Sequence, residues 1–126
     1  MIWRSPWKML ENRPVIGIGP GNFQTTYLEY QQYFPPYLEW AVPHPHNLYL
    51  AFWLQTGMLG LIGFVLLIVF WSRHVITTRD RNEKKASLEW TLIGIMATLL
   101  LIGLLDTPYW KNDLAYSFWL LLAIGL

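Results

Sequence analysis

The sequence predicts an all-α membrane protein with about three transmembrane helices and an extracytoplasmic loop that carries short amphipathic helices. Three observations predict it. Apolar residues gather into three blocks, Leu48 to Trp71, Leu88 to Leu105 and Leu114 to Leu126. Basic residues concentrate between the first two blocks. Prolines, glycines and aromatic residues crowd the segment before the first block.

Hydrophobic residues make up 54% of the chain and charged residues only 13%, which is membrane-protein composition when the apolar residues are clustered in this way. The formal net charge is +1, and no basic tract is interleaved with aromatic residues, so nucleic acid is not an expected partner. Cysteine is absent, which excludes disulfides and thiolate catalysis and leaves the redox compartment open.

Residues 1–46 form the predicted extracytoplasmic loop. Pro6 after Ser5 reads as a helix start, with Trp7 and Leu10 on one face and Pro14 as the stop. Val15 to Phe23, VIGIGPGNF, is punctuated by glycine. It lacks the Gly-Lys-Ser/Thr ending of a phosphate-cradling loop, so a tight turn with positive φ is the expectation. Phe23, Tyr27, Tyr30 and Phe34 recur at i, i+4, i+7 and i+11, a one-sided aromatic stripe on a helix ended by Pro35 and Pro36. Such a helix is expected to lie on the outer membrane face, and its stripe suits packing or interface anchoring better than stacking on sugars. From Tyr37 the chain passes through Pro43 and Pro45, which hold their preceding residues extended. His44 and His46 then share a side, and Asn47 or His46 caps the next helix.

The first apolar block, about 36 Å long as a helix, exceeds a hydrocarbon core of about 30 Å, so 47–71 is the first predicted span. Gly57, Gly60 and Gly63 lie inside it and read as a seam for close helix packing, with Gln55 placed to hydrogen-bond across it. The loop 72–87 holds Arg73, Arg79, Arg81, Lys84 and Lys85, five of the nine lysines and arginines, and is assigned to the cytoplasm by the positive-inside rule. Residues 88–105 form the second predicted span. An outer turn, 106–113, follows, in which Asp106 and Asp113 read as capping residues that could also hold an imidazole. Residues 114–126 are the third span, incomplete because about 13 residues fall short of the roughly 17 needed to cross. A carboxylate stranded in a bilayer is costly, so the chain is expected to be a piece of a larger protein. No signal peptide is predicted at its start.

The rim of the first span carries the chemistry. A helix N-terminus favours anions, and a neutral imidazole beside an anion site suits a general base. Three other classes compete. A transporter would be expected to place ionisable groups within the bilayer, and none of the apolar blocks has one near its middle. A metal site on His44-x-His46 with Asp106 or Asp113 has the right donors but a weak spacing signal. A non-catalytic membrane scaffold fits a chain with so few helices.

His46-Asn47, nine residues, then Gly57-Met58-Leu59-Gly60 resembles the His-Asn/Ser/Gln, nine-residue, Gly-x-x-Gly signature of the O-antigen ligase and polymerase family. The run from Trp3 to Phe23, with Pro14 and GIGPGNF, looks like that family's outer loop ahead of the histidine, and Asp106 to Asp113 looks like its later outer turn. The resemblance covers most of this chain and the C-terminal third or so of a family member. It implies a metal-independent membrane glycosyltransferase of polysaccharide or lipopolysaccharide biosynthesis, with no cofactor, at the outer face of the bacterial cytoplasmic membrane. The donor is a glycan on undecaprenyl diphosphate, the acceptor a lipid or sugar hydroxyl, and lipid and further transmembrane helices are the remaining partners. His46 matches the family's catalytic histidine. Arg4 and Arg13 are candidates for the diphosphate-binding arginines, and His44, Asn47 and Asp106 are candidates for substrate contacts. The groove for the carrier requires helices beyond these, so this chain alone is expected to be inactive.

Overall fold

The computed structural model describes residues 4–33, 35, 42–77, 83–108 and 112–125, the side chains of 83–86 and 112–114 excepted. Trp3, Phe34, Pro36, Tyr37, Arg79, Arg81, Tyr109 to Lys111 and the side chains of Lys84, Lys85 and Asp113, which figure in the sequence reading, lie outside the described residues. Among the described residues five helices follow in order: α1 (Arg4–Asn12), α2 (Phe23–Gln31), α3 (Leu48–Thr77), α4 (Glu83–Ile102) and α5 (Asn112–Ile124). The described residues contain no strand, as predicted.

Two apolar clusters organise the described residues. One gathers Met9 and Leu10 from α1, Ile18 from the glycine turn, Phe23 and Tyr27 from α2, and Val42, Leu50 and Leu54. The other gathers Leu48, Phe64, Trp71 and Val75 of α3, Leu92 and Met96 of α4, and Phe118, Leu121 and Leu122 of α5. The first turns of α3 serve both, because Leu48 points one way and Leu50 and Leu54 the other.

α1 begins within two residues of the predicted start, but its buried face is Ser5, Pro6, Met9 and Leu10. Trp7 does not share that face: it is 52% exposed and meets Trp53 edge-on at 6.2 Å. On the exposed side of α1 Lys8 donates to Glu11 at 2.7 Å, a contact that raises the ammonium's pKa, first through the hydrogen bond and then through the charge.

The glycine turn is as predicted, with Gly17, Gly19 and Gly21 all at positive φ. α2 carries the expected stripe, yet its rings turn into the protein. Phe23 and Tyr27 are buried and lie 5.7 Å apart, so this face packs on α1 and α3 and is not free for lipid. The helix ends at Gln31, ahead of Pro35.

α3 departs most from expectation. Gly57 has φ 73 and ψ −178, a conformation essentially reserved for glycine, and it breaks the helix. Among the described residues the predicted glycine seam against a second helix is not formed. A Cβ on Gly57 would meet the Val15 carbonyl at 2.5 Å, one on Gly60 would meet the side chain of Thr56, and one on Gly63 would meet nothing within 4 Å. Glycine also admits close neighbours outside the predicted seam, the Leu48 side chain at Gly103 and the Trp71 side chain at Gly125.

Beyond the break α3 is continuous to Thr77, and α4 already begins at Glu83. The apolar blocks delimit hydropathy, whereas helicity runs on through Ser72 to Thr77 and back to Glu83, where no glycine or proline interrupts it. Tyr49 donates to the Leu100 carbonyl at 3.1 Å, so the start of α3 lies beside the end of α4 and the two helices are antiparallel. Trp71 donates to the Leu122 carbonyl at 3.2 Å, tying α5 to the far end. Among the described residues α3 is the one helix long and apolar enough to cross a membrane; the apolar parts of α4 and α5 are shorter. Leu59, Ile62, Leu66 and Phe70 leave α3 with an exposed apolar side.

Candidate functional site

The site is built where α3 begins and α4 ends. Asn47 caps α3: its Oδ1 accepts the Leu50 amide at 2.9 Å, the expected third-residue donor of a capped helix. The same side chain crosses to α4, donating from Nδ2 to the Leu104 carbonyl at 2.9 Å. One residue on, the Leu48 amide donates to the Gly103 carbonyl at 2.7 Å. Orphan donors of one helix thus satisfy orphan acceptors of the other. Gly103 permits the approach, because a Cβ there would sit 2.9 Å from the Leu48 side chain.

That junction fixes His46. Its φ is +47, in the left-handed region that a non-glycine residue enters at a cost of roughly 1–2 kcal/mol. The predicted extended chain at His46 is therefore corrected to a left-handed turn, imposed by buried Pro45 on one side and the capped helix on the other. The expected meeting of the two imidazoles survives: the rings of His44 and His46 lie 4.8 Å apart at 45°.

Asp106 completes the cluster from α4's side. Its Oδ1 is 3.4 Å from His46 Nδ1 and accepts the Thr107 amide at 2.8 Å. That second bond holds the carboxylate in place. With side chains 41% and 30% exposed, His46 and Asp106 are fixed by their surroundings yet open to a substrate. The Thr107 side chain was not singled out in the sequence; it is fully buried, and its hydroxyl has no hydrogen-bond partner among the described residues. Its neighbours in sequence gave no signal of that burial.

The structure therefore joins His44, His46, Asn47 and Asp106, four residues drawn from two parts of the chain. Arg4 and Arg13 stand apart from them in sequence, at the two ends of α1, and both are exposed.

The sequence model of the O-antigen ligase family matches residues 1–65. That range contains α1, the glycine turn, α2, both histidines, the cap and the helix break. The chain belongs to the O-antigen ligase family. No curated protein and no solved structure matches it. The matched range takes in the His-Asn and Gly-x-x-Gly elements together and ends before Asp106, so the carboxylate's place beside His46 is a separate, geometric observation.

The Gly57-Met58-Leu59-Gly60 element, which resembles the family's signature, acquires a structural meaning at its first glycine. In an unbroken helix the Leu54 carbonyl would accept the Met58 amide. Here it accepts Ile18 at 2.7 Å and Gly19 at 3.3 Å, and Met58 donates to Val15 at 2.9 Å. Trp53 adds a bond from its indole to the Pro14 carbonyl at 2.6 Å. The glycine turn is thereby stitched into the helix that carries His46 at its mouth.

Proposed function

We propose that this chain is part of a membrane glycosyltransferase that moves a glycan from an undecaprenyl diphosphate carrier to an acceptor hydroxyl at the outer face of the cytoplasmic membrane. The observation that carries the reading is His46 Nδ1 facing Asp106 Oδ1 at 3.4 Å, at the mouth of α3. A carboxylate at Nδ1 favours the tautomer with its proton there, which leaves the Nε2 lone pair for a substrate. The distance is longer than a strong hydrogen bond and is of the kind that tightens when substrate binds.

In this reading His46 takes the proton of the acceptor hydroxyl as its oxygen attacks the anomeric carbon. The new carbon–oxygen bond forms, the bond to the diphosphate breaks, and undecaprenyl diphosphate leaves with the electron pair. General-base assistance of this kind contributes about 10²- to 10⁴-fold in rate. Asp106 orients the imidazole and stabilises its protonated form. Asn47 holds the helix mouth against α4. Arg4 and Arg13 are the candidates to bind the diphosphate, where a planar guanidinium can offer two parallel donors. Family membership supports the reaction class, and the exposed apolar side of α3 supports a setting in lipid or against further helices.

The test is transfer of a labelled glycan from a polyprenyl diphosphate donor by the membrane protein that contains this chain. His46→Ala is expected to abolish transfer while the protein still inserts and accumulates. Undiminished transfer by that variant would remove the base role.

A further inference from the structure

Glycan transfer, as proposed, uses one nitrogen of His46 and needs nothing from His44. Yet His44, His46 and Asp106 each present a ligand-type atom, and the three atoms lie within 4.8 Å of one another. Zinc holds imidazole nitrogens at about 2.0–2.1 Å and carboxylate oxygens at about 2.0–2.2 Å, so its tetrahedral ligand atoms sit roughly 3.4 Å apart. The His46–Asp106 pair already has that spacing. Closing His44 onto them takes a movement of roughly an ångström or so, and all three residues are only partly buried.

The backbone beneath the cluster is already fixed. Pro43 and Pro45 flank His44, and Pro45 is fully buried. His46 is locked at φ +47 ahead of the Asn47 cap, and the Thr107 amide holds Asp106 Oδ1. The positive end of α3 would oppose a cation, but it is met by the carbonyls of Gly103 and Leu104 at the negative end of α4, which offset it. Two imidazoles and one carboxylate with a coordination position left open suit zinc and neighbouring divalent ions.

We propose that His44, His46 and Asp106 form a binding site for a divalent transition-metal ion of the zinc type, and that the ion reversibly blocks glycan transfer. Blocking follows from the imidazole itself. Whichever His46 nitrogen binds the ion, the other carries the proton, so no lone pair remains for the acceptor hydroxyl. The blocking half rests on the transfer reading, and the binding half does not.

The experiment titrates untagged protein in nanodiscs with Zn²⁺ against a chromophoric chelator, and repeats it with Co²⁺ read by visible absorption. One ion per chain is expected, with a tetrahedral cobalt spectrum. His44→Ala and Asp106→Asn should each weaken binding by at least the 10- to 100-fold seen when even an outer partner of a metal ligand is removed. His74→Ala, which alters the third of the three histidines, should leave binding unchanged. Circular dichroism checks each variant's fold, and His44→Gln replaces His44→Ala if helicity is lost. Absence of saturable binding, or binding that survives removal of His44, overturns the site. Where transfer is reconstituted, Zn²⁺ should inhibit it and a chelator restore it; bound zinc with undiminished transfer overturns the blocking half. No transfer by the zinc-free membrane protein that contains this chain counts against the transfer reading and leaves the binding result standing.

Discussion

Met58, whose amide in a continuous helix would bond to Leu54, donates instead to the Val15 carbonyl at 2.9 Å. The bond that the break removes from α3 is replaced by bonds to a loop some forty residues earlier. Buried backbone groups at such a break would otherwise each forfeit a hydrogen bond, at a cost of about 1–3 kcal/mol. The break and the loop therefore stabilise each other, and neither is expected to persist alone.

Gly57→Ala tests that mutual dependence. The substitution places a Cβ at 2.5 Å from the Val15 carbonyl and forces a backbone conformation that disfavours non-glycine residues by about 1–3 kcal/mol. The loop should detach, and proteolysis between Pro14 and Asn22 should quicken while α3 stays helical. Gly63→Ala is the contrast, since nothing lies within 4 Å of its added methyl, and replacing a mid-helix glycine with alanine gains up to about 1 kcal/mol. Equal damage from both substitutions would restore the glycine-seam reading.

Much of this architecture was legible because it is local. Positive φ in GIGPG, the Asn47 cap and the pairing of His44 with His46 each follow from a few adjacent residues. The break at Gly57 was not, because a glycine among leucines fits a packed helix as well as a broken one, and the decision rests with Val15, Ile18 and Gly19. The aromatic stripe of α2 was readable as a face, but what covers that face depends on Met9, Leu10 and Leu54, which are distant in sequence. Asp106 could be placed on the same side as His46 by counting spans. Its 3.4 Å approach depends on the α3–α4 junction at Leu48 and Gly103, which no periodicity announces.

Asn47 makes two separable contributions. Asn47→Ala removes the cap and should destabilise the protein by about 1 kcal/mol, within the usual 0.5–2 kcal/mol for such caps. Asn47→Asp keeps an acceptor for the Leu50 amide but sets a carboxylate against the Leu104 carbonyl. It should retain the helix start and lose the crossing to α4, so hydrogen exchange should rise at Leu48 more than at Leu50. A variant with unchanged exchange at both amides would show that the bridge to Leu104 contributes nothing.

Asp106 acts in the proposed transfer only through His46, which makes it a positioning residue. Asp106→Asn should lower kcat while leaving the donor KM near its starting value, and the loss should be smaller than that from His46→Ala. The double variant should be no slower than His46→Ala, since groups that act as a unit are not additive. Losses that multiply would mean that Asp106 serves the reaction independently of the imidazole.

Arg4 and Arg13 are exposed, and their proposed diphosphate contacts predict a distinction between charge and shape. Lysine keeps the charge and loses the planar fork. Arg4→Lys or Arg13→Lys should therefore raise the donor KM at a position that grips two phosphate oxygens, and leave it unchanged at a position that supplies only surface charge. Protein stability should move by no more than about 0.5 kcal/mol in either case. If neither substitution, nor alanine at both positions, affects donor binding, the diphosphate is held by other groups.

The antiparallel arrangement of α3 and α4 puts α2, His46 and Asp106 at one end, and the end of α3 at Thr77 and the start of α4 at Glu83 at the other. The positive-inside rule predicts that the end carrying the basic residues lies in the cytoplasm, and the candidate site would then face outward, as the proposed transfer requires. The chain has no cysteine, so single introduced thiols report side without interference. Gln24→Cys, at an exposed position on α2, should react with a membrane-impermeant maleimide in intact spheroplasts. Arg81→Cys should react only after permeabilisation. The opposite pattern would place His46 on the cytoplasmic side, and the outer-face transfer would have to be abandoned even though the fold around His46 stood unchanged.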